Sequence, residues 1–198
     1  MEFGANINKE NNSGKTPLIF ACEEGHDDII KALVELGINI NKKENSGKYV
    51  IKYLVEHGAN INKEDNDGWT PLFYACSSGN KDEIIYLVEY GANINKVDND
   101  GYTPIFYVDH KEYFTIIKYL VEKGADINKE DPEGWTLLSF ACSDGNKDKV
   151  KYLVELGADI NKVNRNGETP LIIANRNGHK DIEEYLIEMK TSRNKNKN

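Results

Sequence analysis

A short motif near the start of the chain, Gly14-Lys15-Thr16, matches the last three residues of a phosphate-binding loop. Such a loop needs a glycine five residues before the glycine of this motif. Lys9 occupies that position, and Thr16 is followed by Pro17, which has no backbone N–H to offer a phosphate. The sequence therefore does not predict a nucleotide site here.

Cysteine and histidine, the usual metal ligands, are few and unsuitably spaced. Cys22, Cys76 and Cys142 are an odd number of cysteines without a CxxC pair, which excludes the usual zinc patterns. His57 and His110 have no second metal ligand at helical spacing. We therefore predict no metal site. The cysteines are expected to be free thiols in a reducing, intracellular compartment, which makes the cytoplasm the predicted location.

Acidic turns such as Asp65-Asn66-Asp67-Gly68 resemble a calcium-binding loop at first sight. If Gly68 is the sixth position of that loop, Lys63 stands at the first position and Tyr74 at the twelfth, so essential ligands are missing. The sequence also lacks a Ser-His-Asp arrangement, and its acidic residues recur along the chain, whereas catalytic groups are singular. We predict no cofactor and no enzymatic activity.

The charge balance excludes other classes of partner. The 198 residues include 25 Lys and Arg against 33 Asp and Glu, which gives a net charge of −8. An acidic body repels a phosphate backbone, so nucleic acid is not an expected partner. No stretch approaches the roughly 18 to 20 apolar residues of a membrane helix, and no basic and apolar leader begins the chain. Residues 191–198 carry basic side chains without an acid, and we expect them to be a disordered tail.

A Gly-x-Thr-Pro motif recurs along the chain, with leucine replacing proline in one copy. It begins at Gly14, Gly68, Gly101, Gly134 and Gly167, and the last four are 33 residues apart. A second string, Gly-Ala-Asn/Asp-Ile-Asn, keeps the same period and begins at Gly58, Gly91, Gly124 and Gly157. Self-similarity at a fixed period of this length is the signature of a stacked repeat array.

Each copy reads as a turn followed by two helices. Thr16 is a suitable N-cap, and Pro17 suits the first helical position, where its missing N–H costs nothing. Gly25 is expected to end the first helix, and a second helix is expected over residues 27–36. The segment Asn60 to Trp69 is rich in Asn, Asp and Gly, which is typical of turns.

These motifs resemble the ankyrin-repeat family across residues 4–190. The resemblance implies an all-α solenoid of stacked helix-turn-helix units joined by short β-hairpin-like turns. We expect a partial unit end at 1–13, unit one at 14–46, a truncated unit two at 47–67, unit three at 68–100, an irregular unit four at 101–133, unit five at 134–166, and a C-terminal capping unit at 167–190.

Two places depart from the repeat. Unit two lacks 12 residues where its first helix should lie, between Lys48 and Tyr49. A missing layer should open a gap or bring units one and three together, with a kink or break near residues 45–58. In unit four, residues 108–114 replace the segment that ends the first helix, and Glu112 stands in place of the glycine. The chain is expected to turn differently there.

By the same resemblance, turn tips and first helices form a concave binding face, and the residue after each turn glycine lies on it. Three of these residues are large aromatics, Trp69, Tyr102 and Trp135. Such side chains are frequent hot spots of protein interfaces. The alternative is that they pack on neighbouring turns as structural ridges.

Acidic residues beside the aromatics, Asp67, Asp100 and Glu133, indicate a partner with basic and apolar groups. The predicted site is completed by Ser77, Ser78, His110 and Lys111. Two further groups recur in register and are given structural roles. Asp65, Asp98 and Asp131 are expected to hold the turns, and Phe20, Tyr74, Tyr107 and Phe140 are expected to fill the core.

The resemblance thus implies a non-catalytic scaffold or adaptor that binds a protein partner on its concave face. Two alternatives remain open. The edge exposed by the truncated second unit could serve self-association, or the chain could be a trimmed or engineered array without a native partner. Asparagines such as Asn62 and Asn95 also lie where ankyrin arrays can be hydroxylated.

Overall fold

The computed structural model describes residues 6–23, 47–109 and 113–195. Within this part of the chain it contains α-helices and one 3₁₀ helix and no strand, so the predicted all-α class is confirmed. The α-helices are α1 Pro17–Glu23, α2 Gly47–Glu56, α3 Pro71–Ser78, α4 Lys81–Glu89, α5 Tyr113–Glu122, α6 Leu137–Ser143, α7 Lys147–Glu155, α8 Pro170–Arg176 and α9 Lys180–Lys195, and the 3₁₀ helix is Pro104–Tyr107.

Threonine precedes α3, the 3₁₀ helix, α6 and α8 in the extended conformation that an N-cap requires. The hydroxyls of Thr136 and Thr169 accept the backbone N–H three residues later, at 3.3 Å in both cases. Thr16 makes the same bond at 3.4 Å, as predicted from its sequence. The buried hydroxyls of Thr70 and Thr103 have no partner among the described residues, so the same signal gives a weaker cap there.

The first helices end differently in different units. Gly79 follows α3 with φ of 69° and donates its N–H to carbonyls of that helix, which is a left-handed glycine cap. In unit four the first helix is only the 3₁₀ helix, and Val108 follows it in an extended conformation. The expected change of turn in this unit is therefore present, although Glu112 itself lies outside the described residues.

Among the described residues, no helix stands between α1 and α3, and these two helices lie directly against each other. The backbone N–H of Asn66 donates to the carbonyl of Ser13 at 3.0 Å, which joins the turns that precede these two helices. Helix α2 packs against both α1 and α4. The truncation of unit two and the kink expected near residues 45–58 stay predictions. The second helix expected over 27–36 lies outside the described residues, and all the predicted unit boundaries stay predictions.

The chain divides into two compact blocks, an N-terminal block of residues 1–124 and a C-terminal block of residues 125–198. In the first, α3 packs against α1, α4 and the 3₁₀ helix, around buried residues that include Leu18, Leu72 and Phe73. In the second, α6 packs against α7 and α8, and α8 packs against α9, around Leu138, Leu153 and others. In both blocks the apolar stripe of each helix supplies the core, as the repeat pattern predicts.

The three cysteines are free and buried, as expected for small apolar side chains at one repeated position. Burial raises the pKa of each thiol above its ordinary value, to about 12 for Cys142. No helix in the described part of the chain is both long and apolar enough to cross a membrane.

The last helix corrects one prediction. Helix α9 continues to Lys195, whereas residues 191–198 were expected to be disordered. The hydroxyl of Thr191 donates to the carbonyl of Ile187 at 2.8 Å, within helix α9. Basic residues near a helix C-terminus also interact favourably with the helix dipole. The basic composition that suggested a solvated tail therefore also suits the end of a helix.

Candidate functional site

An aspartate closes each acidic turn and fixes the residue that follows the turn glycine. Oδ1 of Asp65 accepts the backbone N–H groups of Asp67 at 3.0 Å and Trp69 at 2.9 Å. The N–H of Asp65 donates in turn to the carbonyl of Trp69 at 3.0 Å. Asp98 and Asp131 make the equivalent bonds. The prediction that these aspartates hold the turns is confirmed.

The second carboxylate oxygen of two of these aspartates binds a tyrosine. The hydroxyl of Tyr74 donates to Oδ2 of Asp65 at 2.6 Å, and the hydroxyl of Tyr107 donates to Oδ2 of Asp98 at 2.6 Å. Burial and the bonded carboxylate raise the pKa of both tyrosines well above the ordinary value, so each stays a protonated donor. Each pair ties a first helix to the turn that precedes it.

The prediction that the tyrosine position belongs to the core holds for Tyr74, which is only 8% exposed. It is wrong for Phe20, Tyr107 and Phe140, which are half-buried. For two of them the reason is contact with the aromatic residues of the turns, since Tyr107 packs against Trp69 and Tyr102 and Phe140 packs against Trp135. They therefore contribute to the surface as well as to the interior.

Trp69 is packed among other rings and remains half-buried. Its ring centroid lies 4.9 Å from that of Tyr74 and 4.6 Å from that of Tyr107, both in edge-to-face geometry. A third contact, to Phe73, has a centroid distance of 5.7 Å. These contacts hold the indole in one orientation.

Tyr102 and Trp135 follow the same scheme. Tyr102 is half-buried and lies 5.5 Å from Phe106 and 6.2 Å from Tyr107, measured between ring centroids. Trp135, in the C-terminal block, is half-buried, and its ring centroid lies 5.2 Å from that of Phe140. All three predicted aromatics thus have the ring contacts of a structural ridge and also keep part of their surface exposed. Their role in binding stays a prediction.

The acidic residues of the predicted site, Asp67, Asp100 and Glu133, are exposed, as are Ser77 and Ser78. The backbone carbonyls of Asp67 and Glu133 are used between turns. They accept the N–H of Asn99 at 3.2 Å and of Arg165 at 2.9 Å. His110 and Lys111 lie outside the described residues, so their predicted part in the site is untested.

A cleft of about 320 Å³ lies between two turns of the C-terminal block. It is lined by Glu130, Asp131, Pro132, Gly134, Val163, Asn164 and Arg165. Sequence reasoning missed it, although the replacement of tyrosine by Phe140 beside an unchanged aspartate was a usable signal. Among the described residues, no group of three or more His, Cys, Asp or Glu side chains could hold a metal ion.

Comparison with known proteins agrees with this architecture. The family model for ankyrin repeats (3 copies) matches residues 1–44, 44–131 and 108–198. No curated protein matches the chain significantly. Ankyrin repeats generally mediate protein–protein interaction, and proteins of this family are typically non-catalytic.

Proposed function

The chain belongs to the ankyrin-repeat family, and from that premise we propose that it is a non-catalytic scaffold or adaptor for a protein partner. The partner binds where turn tips and first helices meet the solvent. Its anchors are Trp69 and Tyr102 of the N-terminal block and Trp135 of the C-terminal block. A reducing compartment such as the cytoplasm suits its buried free thiols.

The observation that carries this proposal is the state of the Trp69 side chain. Its ring is held by contacts to three other rings, yet it is only half-buried. A large side chain already fixed in place loses little conformational entropy when a partner covers it. Fixed aromatic side chains of this kind supply much of the affinity of protein interfaces.

Charge supports a partner with basic and apolar groups. The exposed side chains of Asp67, Asp100 and Glu133 adjoin the aromatic anchors, and the whole chain carries a net charge of −8. Acidic side chains at the rim of an interface speed the association of basic partners and discriminate against acidic ones. The same charge disfavours nucleic acid as a partner.

The experiment begins with a partner identified by co-purification from the native host and mass spectrometry. Its affinity is then measured for the native chain and for the W69A/Y102A/W135A variant, whose folding is checked by circular dichroism. We expect the affinity to fall about tenfold or more, as for the loss of interface hot spots. An unchanged affinity in the folded variant would make the three aromatics structural and overturn the proposal.

A matched control is Ile187→Ala. Ile187 is an exposed apolar residue, 47% accessible, on the last helix and away from the turn tips. Its removal should leave partner affinity unchanged if binding depends on the aromatic anchors. Equal losses in the two variants would indicate a general effect of lost apolar surface.

Self-association stays the alternative, since nothing in the described residues favours it. The edge that would serve it is narrowed by the direct contact between α1 and α3. Sedimentation over a range of protein concentrations distinguishes the two functions, because only self-association makes the apparent mass rise with concentration.

A further inference from the structure

The aspartate of unit five keeps its turn but lacks the tyrosine that completes the arrangement elsewhere. Oδ1 of Asp131 accepts the N–H of Glu133 at 3.0 Å and of Trp135 at 2.7 Å, as the equivalent aspartates do. The residue 33 positions after Tyr107 is Phe140, which has no hydroxyl. Among the described residues, no donor forms a hydrogen bond to Oδ2 of Asp131.

This oxygen belongs to a buried side chain and still reaches solvent. Asp131 is only 7% exposed. In the described part of the chain, the buried side-chain oxygens cut off from solvent without a partner are those of Thr70, Tyr86 and Thr103, and Oδ2 of Asp131 is not among them. Asp131 also lines the cleft of about 320 Å³. A carboxylate in this position gains from an external donor, because burial without one is unfavourable.

The other turns show that this vacancy is specific to unit five. Where the first helix has no tyrosine, the turn carries asparagine instead of aspartate, in the pairs Asn11 with Phe20 and Asn164 with Ile173. The amide of Asn164 satisfies itself by donating to Glu168 at 2.9 Å. Of the five described turns, only that of unit five combines a buried carboxylate with a first helix that has no tyrosine nine residues later to bind it.

We propose that Asp131 binds a lysine side chain of the partner, with the ammonium group donating to Oδ2. The inference rests on the proposed function and specifies the partner group, a lysine ammonium, that the C-terminal block binds. The neighbouring carboxylates favour a cation over a neutral donor. Glu133 is exposed, whereas the charge of Glu130 is offset by its ion pair with Lys162 at 2.6 Å. Arg165 also lines the cleft, so a lysine of the partner has to compete with this resident cation for Asp131. The Trp135 backbone N–H is bonded to Oδ1 of Asp131, and its ring packs on Phe140 at 5.2 Å. These rings are not among the residues that line the cleft, but they offer aromatic surface beside the turn for the lysine side chain.

The N-terminal block contains an internal contact between a lysine ammonium and an aromatic ring. The ammonium of Lys15 lies 5.0 Å from the centroid of the Tyr74 ring and forms an ion pair with Glu23. The hydroxyl of Tyr74 is itself bound to Asp65. Tyr74 occupies the repeat position of Phe140, whereas Glu23 occupies that of Ser143. The aromatic part of this lysine contact therefore recurs in unit five, and there the turn aspartate would have to supply the negative charge.

The test uses n-butylammonium chloride, which reproduces the end of a lysine side chain and needs no identified partner. The chain contains two tryptophans, Trp69 in the N-terminal block and Trp135 in the C-terminal block. Their indole N–H signals in a ¹⁵N-labelled protein therefore report on the two blocks separately. We expect a saturable shift of the Trp135 signal, with Trp69 as the internal reference. Butan-1-ol is the neutral control and should produce no such saturable shift.

Two variants test the assignment to Asp131. Phe140→Tyr restores the internal hydroxyl of units three and four, so it should occupy Oδ2 and raise the melting temperature. Asp131→Asn removes the charge while keeping the turn, as Asn164 does in its own unit. Each variant should weaken n-butylammonium binding about fivefold or more, since a charge-assisted bond is lost. Tyr107→Phe is the converse variant and should open a comparable site at Asp98.

Either of two results would overturn the inference: no saturable shift of the Trp135 signal, or equal binding in the native, F140Y and D131N proteins. Neither result touches the proposed function, which fails instead if the partner binds the folded W69A/Y102A/W135A variant with unchanged affinity. Partner binding that depends on Trp69 and ignores Asp131 would therefore retain the function and remove this site.

Discussion

The Tyr74 hydroxyl lies 2.6 Å from Oδ2 of Asp65, and this bond joins a first helix to the turn before it. Asp65 is a buried carboxylate, so removing the hydroxyl leaves one of its oxygens without a partner. We expect Y74F to lower the free energy of unfolding by about 1.5 to 3 kcal/mol, as for a hydrogen bond to a charged group. Urea denaturation followed by circular dichroism measures this change.

The matched control for that variant is Y53F. Tyr53 is half-buried, and its hydroxyl makes no hydrogen bond among the described residues. Its removal should change the free energy of unfolding by less than about 0.5 kcal/mol. Equal effects of Y74F and Y53F would show that the bond to Asp65 contributes nothing to stability.

The buried thiols provide a second prediction. Because burial raises the pKa of Cys142 to about 12 and also raises the pKa of Cys22 and Cys76, all three remain protonated at pH 8. The thiolate is the reactive form. We expect a thiol reagent such as 5,5′-dithiobis(2-nitrobenzoate) to label the native protein only slowly at pH 8 and to label all three cysteines in urea. Rapid stoichiometric labelling of the folded chain would contradict the burial.

Glu168 makes stability depend on pH. The Asn164 amide, which donates to Glu168 at 2.9 Å, and then the Arg176 guanidinium lower the pKa of this carboxyl. A lowered pKa contributes stability above the unfolded-state pKa, and that contribution is lost as pH falls through the folded-state value. We expect E168Q to reduce the urea midpoint at pH 7, and we expect its difference from the native chain to shrink as pH falls through the folded-state pKa of Glu168.

The control for this pH dependence is E184Q. Glu184 is exposed on the last helix and forms no hydrogen bond or ion pair with the described residues. Its urea midpoint should follow that of the native chain at every pH. A difference between native and E168Q proteins that does not shrink as the pH is lowered would exclude ionisation of Glu168 as the cause.

The sequence was sufficient for the fold because each unit repeats the same local signals. Thr136 and Gly79 cap helices as their positions predict, and the period of 33 residues predicts which helices pack together. Burial of the tyrosine position could not be read in this way, since Tyr74 is in the core while Tyr107 is half-buried. That difference depends on the neighbouring unit, and one unit's own residues do not encode it.

The candidate site was predictable only in part. The positions of Trp69 and Trp135 follow from the repeat, and most of their ring contacts are to residues four or five positions later. The contact of Trp69 with Tyr107 joins two successive units and could not be read from one motif. The open carboxylate of Asp131 becomes visible only when the Tyr107 hydroxyl is seen to bind Asp98 in the preceding unit. Comparison of units in space, rather than inspection of one motif, identifies it.

Asparagines between successive turns give the last prediction. The Asn62 side chain spans two turns, because Nδ2 donates to the Gly91 carbonyl at 3.2 Å and Oδ1 accepts the N–H of Asn93 at 2.7 Å. Oδ1 of Asn128 accepts the N–H of Asp159 at 2.7 Å, whereas its Nδ2 makes no hydrogen bond among the described residues. The two asparagines therefore differ in one donor.

Replacement by aspartate keeps the acceptor and removes that donor. We expect N62D to lower the free energy of unfolding by about 1 kcal/mol, the usual loss of one net hydrogen bond. N128D should change it by less than about 0.5 kcal/mol. Both variants add one negative charge at equivalent repeat positions, so general charge repulsion would affect them alike. Equal destabilisation in urea titrations would therefore assign the effect to charge, and only a larger loss in N62D supports the bridge between turns.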